Sequence, residues 1–581
     1  MKFLFDALQE QHQQFPQDIC IAQKESGKWV EYSTQQIVEQ SRELAAGFLA
    51  LGLQPGDAIG IVATNCVEWV ITDQAIALCG LIGVPMYPNA TSEDYAYISG
   101  HAEIKLIFVR NEEMYNKVAS FSDKLNIGVY SFEIHENIKY WRTLFDENNV
   151  EDQLAAIQSS LREEKMATII YTSGTTGTPK GVMLSHQNII SNAHAVAEIF
   201  NVDGKRKKVL SFLPLCHIFE RTALYTYLHL GISIYFVDDL EQIPVYLKEV
   251  RPNYFATVPR LLEKIYEKIM QKGLALTGMK KQLFFWALAL SDHYNPNEEP
   301  SLIFKLKLKL ARKLIFSKWK EALGGEVEFI VSGAAALQQR VSRAFWTADI
   351  HILEAYGQTE SSPGITFTRN DPTNVRIGTV GETLSKIEIK IAEDGEILAK
   401  GPNIMLGYYK NEEQSKATIN EEGWLHTGDI GELVEGRFLK ITDRKKEIFK
   451  TSGGKYIAPQ PLENKICESL YVQQAMVVGE GEKFPAVLVV VNPETLEKWA
   501  QLHKVAYDSV QKLIEDPKVQ RKLEQEIDVS NAGFANYERV KKFTLLAEPW
   551  TIESNELTPT LKLKRKNILA NHQDKIKAFY D

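Results

Sequence analysis

Residues Tyr171 to Val182 read YTSGTTGTPKGV, a run that sets Thr172, Ser173, Gly174, Thr175, Thr176 and Gly177 ahead of Lys180. This is the composition of an anion-holding loop. Glycines and small side chains let backbone N–H groups approach a phosphate, hydroxyls add donors and a lysine adds charge. It is not a Walker A loop, because Pro179 stands where that pattern needs its second glycine, and Gly181 follows the lysine in place of Ser or Thr. A flexible Ser/Thr/Gly connector is the bland alternative, and the flanks oppose it. ATIIY before the run reads as a short apolar strand. SHQNIISNAHAVAEIF after it offers a capping serine, Ser185, with Ile189, Ile190, Ala193 and Val196 at helical spacing. The expectation is a strand-to-helix phosphate loop.

Working outward, Gln36 to Leu53 repeats apolar residues at helical spacing and stops before Pro55-Gly56. AIGIVATNCVEWVITDQAIALCGLIGVPMYP then reads as strand, loop, helix and strand, which implies parallel βαβ architecture. A second alternation runs through VLSFLPL, SIYFVDD, FATVPRLLEKIYEKI, EFIVSGAAAL and HILEAYGQTE, each strand ending in a polar or glycine-bearing turn. Open α/β sheets hold ligands at such strand ends. From about Lys386 the texture changes to short strands and turns, and the last 135 or so residues suffice for a small α/β domain.

With 581 residues, 44% hydrophobic and 24% charged, the chain is globular and large enough for several folding units. A net charge of −9 argues against nucleic acid as a principal partner. The five cysteines are odd in number and scattered, which supports neither a disulfide framework nor a CxxC metal site and points to a reducing cytoplasm. MKFLFDALQEQHQQ has too short an apolar core for a signal peptide. The most apolar window, Thr222 to Val237, is interrupted by His229 and too short to span a bilayer, so no transmembrane segment is expected. Between Lys272 and Leu323 lies a helical, basic segment in which Lys305, Lys307, Lys309, Arg312, Lys313, Lys318 and Lys320 interleave with aliphatic residues. It reads either as a surface helix whose lysine stems cover apolar neighbours or as an interfacial helix that contacts anionic lipid.

Further chemistry-bearing groups stand at intervals. Tyr356-Gly357-Gln358-Thr359-Glu360 joins an aromatic ring, a hydroxyl and a carboxylate at a strand end, Gly333 lies in VSGAAAL, and His217 lies in LPLCHIFER beside Glu220, read as structural. WLHTGD carries Asp429, read as a carboxylate in a turn. Downstream come DRKK, Asp443 to Lys446, then Lys450, the stretch Thr451 to Lys455 and LTPTLKLKR, Leu557 to Arg565.

Taken in order, YTSGTTGTPKG, YGQTE, WLHTGD, DRKK and LTPTLKLKR resemble the signatures of the AMP-binding, or adenylate-forming, superfamily, and the similarity extends over nearly the whole chain. FLPLCHIFER, FATVPRLLEKIYEKI, the enlarged basic segment and the Thr-Pro-Thr form resemble its long-chain fatty acid–CoA ligase branch. The resemblance implies a large α/β N-terminal domain of two α/β subdomains with a small β-rich subdomain, residues 1–442, a hinge at 443–446 with Lys446 as pivot, and a mobile α/β lid, 447–581. It implies that Thr172 to Gly177 and Lys180 hold ATP phosphates, that Gly333, Tyr356 and Gly357 border adenine, and that Thr359 contacts the α-phosphate. Glu360 would coordinate Mg²⁺, Asp429 and Arg444 the ribose, and Lys450 the nucleotide in one lid position. Lys562 is implied as the catalytic lysine, with Lys564 as the other register. His217 would lie near the acyl entrance, and Gly453 and Gly454 near the coenzyme A tunnel. The implied partners are a fatty acid, ATP and coenzyme A. A carrier-protein phosphopantetheine is the rival thiol acceptor, and a non-catalytic lipid-binding scaffold is the reading from another class.

Overall fold

The computed structural model describes residues 1–172, 179–200, 202, 204, 206–551, 553–558 and 562–581. The chain divides into two units: Met1–Lys390 with Leu398–Thr427 and Glu435–Leu439, and Ile391–Ile397 with Gly428–Val434 and Lys440–Asp581.

The first unit holds two sheets. One runs in the order Gly407–Tyr408, Lys180–Ser185, Met166–Thr172, Ile82–Met86, Ala58–Val62, Ile104–Val109, Gly128–Ser131, Lys139–Tyr140. From Met166–Thr172 to Lys139–Tyr140 neighbours are parallel. Ala58–Val62 and Ile82–Met86 are buried along their whole length, as strands of a parallel sheet covered on both faces must be. The second sheet runs Glu382–Thr383, Gly364–Phe367, His351–Gly357, Phe329–Ser332, Tyr254–Thr257, Lys208–Ser211, Ser233–Phe236, Ile21–Glu25, Lys28–Tyr32. Its centre is parallel and its two edges are antiparallel. The helix expected after residue 36 forms over Thr34–Ala50, started by Ser33 and Gln36 in a reciprocal capping box.

The stretch around Lys180 departs from the strand-to-helix expectation. Met166–Thr172 turns back into the antiparallel strand Lys180–Ser185, with Thr172 opposite Lys180 and Ile170 opposite Val182. Only then does the helix His186–Phe200 begin. The reason is that KGVMLS has strand partners on both sides, Met166–Thr172 and Gly407–Tyr408, so its backbone groups are satisfied in the sheet. Ser185 does start the helix: its Oγ accepts from the Asn188 N–H at 3.1 Å, and Asn188 Oδ1 accepts from the Ser185 N–H at 2.8 Å.

Glu388–Ile391, Glu396–Lys400, Leu425–Val434 and Phe438–Arg444 make a four-stranded sheet. The second unit has a sheet of Val472–Val478, Ala486–Val491 and Lys542–Leu546, whose wholly buried central strand AVLVVV is flanked by two apolar clusters. The basic region is helical as expected, over Pro259–Ala275, Gly278–Ala289, Leu302–Ala311, a π turn Arg312–Phe316 and Ser317–Ala322. No helix of the described residues is long and apolar enough to cross a membrane.

Candidate active site

In the first unit the candidate groups gather at the ends of parallel strands. Tyr356 and Gly357 close the strand His351–Gly357, and Thr359 opens the tight turn Thr359–Ser361. A Cβ on Gly357 would fall 1.7 Å from the Pro363 carbonyl oxygen, so only glycine lets the two backbones approach. Gly333 follows the neighbouring strand Phe329–Ser332; a Cβ there would meet the Phe219 ring at 3.1 Å and the Ala355 carbonyl at 3.4 Å. His217 caps the helix Ile218–Leu230, its Nδ1 accepting from the Phe219 N–H at 3.2 Å. Phe219 thus links the histidine's turn to the glycine.

Glu360 is half-buried, and its Oε1 accepts from the Tyr408 hydroxyl at 2.7 Å. Burial and the Glu360 carboxylate push the Tyr408 phenol up, which keeps it a donor. Lys180 Nζ lies 5.5 Å from the centroid of the same ring and donates to Gln414 Oε1 at 3.2 Å. One tyrosine therefore joins the lysine of the hairpin to the carboxylate of the YGQTE turn. Tyr408 was not anticipated from sequence; GYYK shows no periodicity that would single it out. Ser173, Gly174, Thr175, Thr176 and Gly177 lie outside the described residues, while Thr172 ends its strand, half-buried.

Beneath these groups runs a buried network that sequence reading also missed. Arg221 donates to Asp73 Oδ1 at 2.5 Å and Thr168 Oγ1 at 2.7 Å, and the Tyr225 hydroxyl donates to Asp73 Oδ2 at 2.6 Å. It ties the helix that His217 caps to the strand leading into Thr172. Glu220, read as structural, is buried and takes a 2.5 Å hydrogen bond from Ser211 Oγ; burial pushes its carboxyl up to about 8.

In the second unit Asp429 lies within the strand Leu425–Val434, not in a turn. Gly428, with φ of +71°, supplied the turn-like texture of the sequence, yet the strand continues through it. Alternation puts Asp429 on the buried side, where its carboxylate sits 3.3 Å from Arg444 Nε. Asp443, before Arg444, is buried and its carboxyl is pushed up to about 7, first by desolvation. Lys446 is exposed in the turn that follows. Lys450, in the two-residue strand Phe449–Lys450, lies 5.5 Å from the Tyr456 ring centroid. Gly453 and Gly454 occupy the exposed turn closed by the Thr451 N–H to Lys455 carbonyl bond of 2.9 Å; Gly454 has φ of +78°.

Lys562 is exposed on a small loop rooted by the Leu557–Leu563 bridge, with its N–H on Thr558 Oγ1 at 3.0 Å. Lys564 Nζ instead donates to Asn555 Oδ1 at 2.5 Å. Arg565 Nη2 donates to both carboxylate oxygens of Glu463 at 2.6 Å, and its Nε donates to Glu447 at 3.1 Å. Nothing in the spacing of these residues announces that clamp.

The donor set suits a magnesium ion that arrives on phosphates. Glu360 is a single half-buried carboxylate, and no cluster of three metal-ligating side chains occurs among the described residues. Burial pushes the thiols of Cys20, Cys66 and Cys79 up to about 12 and that of Cys216 up as well, so these are poor nucleophiles at neutral pH.

Two α/β sheets with their candidate groups at the strand ends, followed by a small unit carrying an exposed lysine loop, define an adenylate-forming fold. The chain belongs to the AMP-binding enzyme family: that family's model matches residues 8–409, and the model of the AMP-binding enzyme C-terminal domain matches 446–581. It is 31% identical to the long-chain-fatty-acid–CoA ligase FadD15 of Mycobacterium bovis, covering 98% of this chain and 96% of that protein. It is 33% identical to the peroxisomal long chain acyl-CoA synthetase 7 of Arabidopsis thaliana, covering 95% and 81%. Among solved structures, the o-succinylbenzoate coenzyme A synthetase of Bacillus subtilis in complex with ATP and magnesium ion superposes with a TM-score of 0.67 at 19% identity, covering 96% and 98%.

Proposed function

We propose that the protein is a long-chain fatty acid–CoA ligase that forms an acyl adenylate from the acid and ATP, then transfers the acyl group to coenzyme A. The observation that carries this reading is the line Lys180–Tyr408–Glu360, in which one tyrosine meets both the lysine that follows the Ser/Thr/Gly run and the carboxylate of the YGQTE turn. Near full-length similarity to ligases of that substrate class supports it.

A free carboxylate resists thiol attack because its leaving group would be oxide. In the first step a carboxylate oxygen bonds to the α-phosphorus and the bond to pyrophosphate breaks; positioning and charge neutralisation supply most of the catalysis. Tyr356 stacks on adenine beside Gly333 and Gly357, Asp429 accepts from the ribose hydroxyls with Arg444 alongside, and Thr359 donates to the α-phosphate. Lys180 and the Thr172 to Gly177 run hold the departing phosphates. Glu360 would hold a magnesium ion, which would supply further neutralisation of phosphate charge. Lys562 bridges the carboxylate and the α-phosphate. In the second step the thiol sulfur attacks the acyl carbon and AMP leaves, after the lid, residues 447–581, has turned about Lys446 in the 443–446 hinge. His217 then borders the acyl group, Lys450 faces the nucleotide in one lid position, and Gly453 and Gly454 border the thiol's path. Cytoplasm is the proposed compartment, and Lys305 to Lys320 the proposed point of membrane contact.

The test is pyrophosphate release and thioester formation with Mg-ATP across short to long fatty acids, for wild type and Lys562→Ala. The expected result is acyl-CoA from wild type with long acids, and loss of pyrophosphate release in the variant. Pyrophosphate without acyl-CoA would transfer the reading to a carrier-protein acceptor. Absence of both with every acid would overturn the substrate class.

A further inference from the structure

The helix Leu302–Ala311 and its π turn have two apolar faces. Leu308, Ala311 and Phe316 are buried, the last two within the apolar cluster that packs helices against the strands Tyr254–Thr257 and Phe329–Ser332. On the opposite side Leu302, Ile303, Leu306, Leu310 and Leu314 are 79%, 69%, 69%, 48% and 41% exposed. At about 100° per residue these five fall within roughly a third of the helix circumference, so they form one stripe. Lys305, Lys309 and Lys313 line one margin of it and Lys307 the other, by the same helical spacing.

Leu302 to Lys320 contains seven cations and no Asp or Glu, in a chain of net charge −9. Lys305 pairs with Glu299 and Lys320 with Asp349. Lys307, Lys309, Lys313 and Lys318 have no carboxylate partner among the described residues. A leucine stripe bordered only by lysines suits a bilayer whose apolar interior lies beneath a negative surface: the leucines enter, and the lysine stems reach back to phosphates. We propose that this face lies in the plane of an anionic lipid bilayer, with Leu302, Ile303, Leu306, Leu310 and Leu314 inserted and the flanking lysines at the headgroups. This deepens the membrane contact proposed for the segment by naming the face that inserts, and it is independent of the ligase chemistry.

The experiment is co-sedimentation of the full chain with phosphatidylcholine vesicles, with and without phosphatidylglycerol, at low and high salt. Wild type is expected to bind the anionic vesicles, less at high salt. The triple variant Leu302→Ser, Leu306→Ser, Leu310→Ser is expected to lower that binding at least about tenfold, with an unchanged circular dichroism spectrum and unchanged activity on a short, soluble acid. Lys307→Gln, Lys309→Gln, Lys313→Gln together should abolish the preference for anionic vesicles. If the serine variant binds as wild type does while the glutamine variant does not, the inserted face is wrong and the segment's membrane contact stands. If wild type binds neither vesicle, both fall. If wild type is a dimer that the serine variant converts to monomer, a second copy covers the stripe and the proposal is overturned.

Discussion

Arg221 is 1% exposed; Asp73 matches its charge, Thr168 Oγ1 accepts a second hydrogen bond from it, and the Tyr225 hydroxyl holds the other Asp73 oxygen. Removing one partner of a buried pair leaves an uncompensated charge, so Arg221→Met is expected to destabilise the first unit by about 3–5 kcal/mol, read as a fall in its thermal midpoint. Glu220, one residue earlier, behaves differently. Its carboxyl is held at about 8 against an ordinary 4.5, so folding favours the protonated form. That contribution is fully present below the ordinary value and is lost as pH rises through the folded one. Glu220→Gln keeps the shape without the charge, and its midpoint should gain on wild type more at about pH 9 than at about pH 4; an equal gain at both would show that Glu220 does not titrate in this window. At the proposed reaction centre, Glu360→Gln would leave an acceptor for Tyr408 but remove the carboxylate proposed to hold magnesium. The expected fall in pyrophosphate release is about 100-fold or more, partly recovered at high magnesium.

The turn after His351–Gly357 depends on one missing Cβ. Gly357→Ala would drive a methyl against the Pro363 carbonyl, displacing Thr359 and Glu360 together, and should abolish pyrophosphate release in a chain that still folds. The lysine loop depends on a clamp. Arg565 holds it to Glu463 of the helix Pro459–Ile466 and to Glu447 in the turn after Arg444. Burial disfavours the guanidinium's charge, but the two carboxylates more than offset it and raise its pKa. Arg565→Lys keeps the charge and loses the fork. Pyrophosphate release should fall by about 100-fold through misplacement of Lys562, while thioester formation from supplied acyl adenylate changes far less. An equal fall in both half-reactions would mean that Arg565 serves the fold alone.

The chain carries separate apolar cores: the helices packed around Leu262, Trp319 and Phe345 in the first unit, and the valine-rich clusters around Ala486–Val491 in the second. Cores that do not share side chains need not melt together. Calorimetry of the full chain is expected to show two transitions, and a single two-state endotherm would contradict the division.

The sequence alone determined what local physics dictates. Apolar runs gave the buried parallel strands, Ser33 and Ser185 started their helices through their own side chains, and the order of the motifs carried the family resemblance. Those signals act within a few residues. Tertiary structure decided what depends on distant partners. Lys180–Ser185 became a strand because Met166–Thr172 and Gly407–Tyr408 pair with it from either side, and Asp429 stayed in a strand that runs on through Gly428. Tyr408, Arg221 and Arg565 acquired their places only when chain closure set carboxylates beside them. A single sequence records the charge of each such residue but not which opposite charge folding will bring within 3 Å or so.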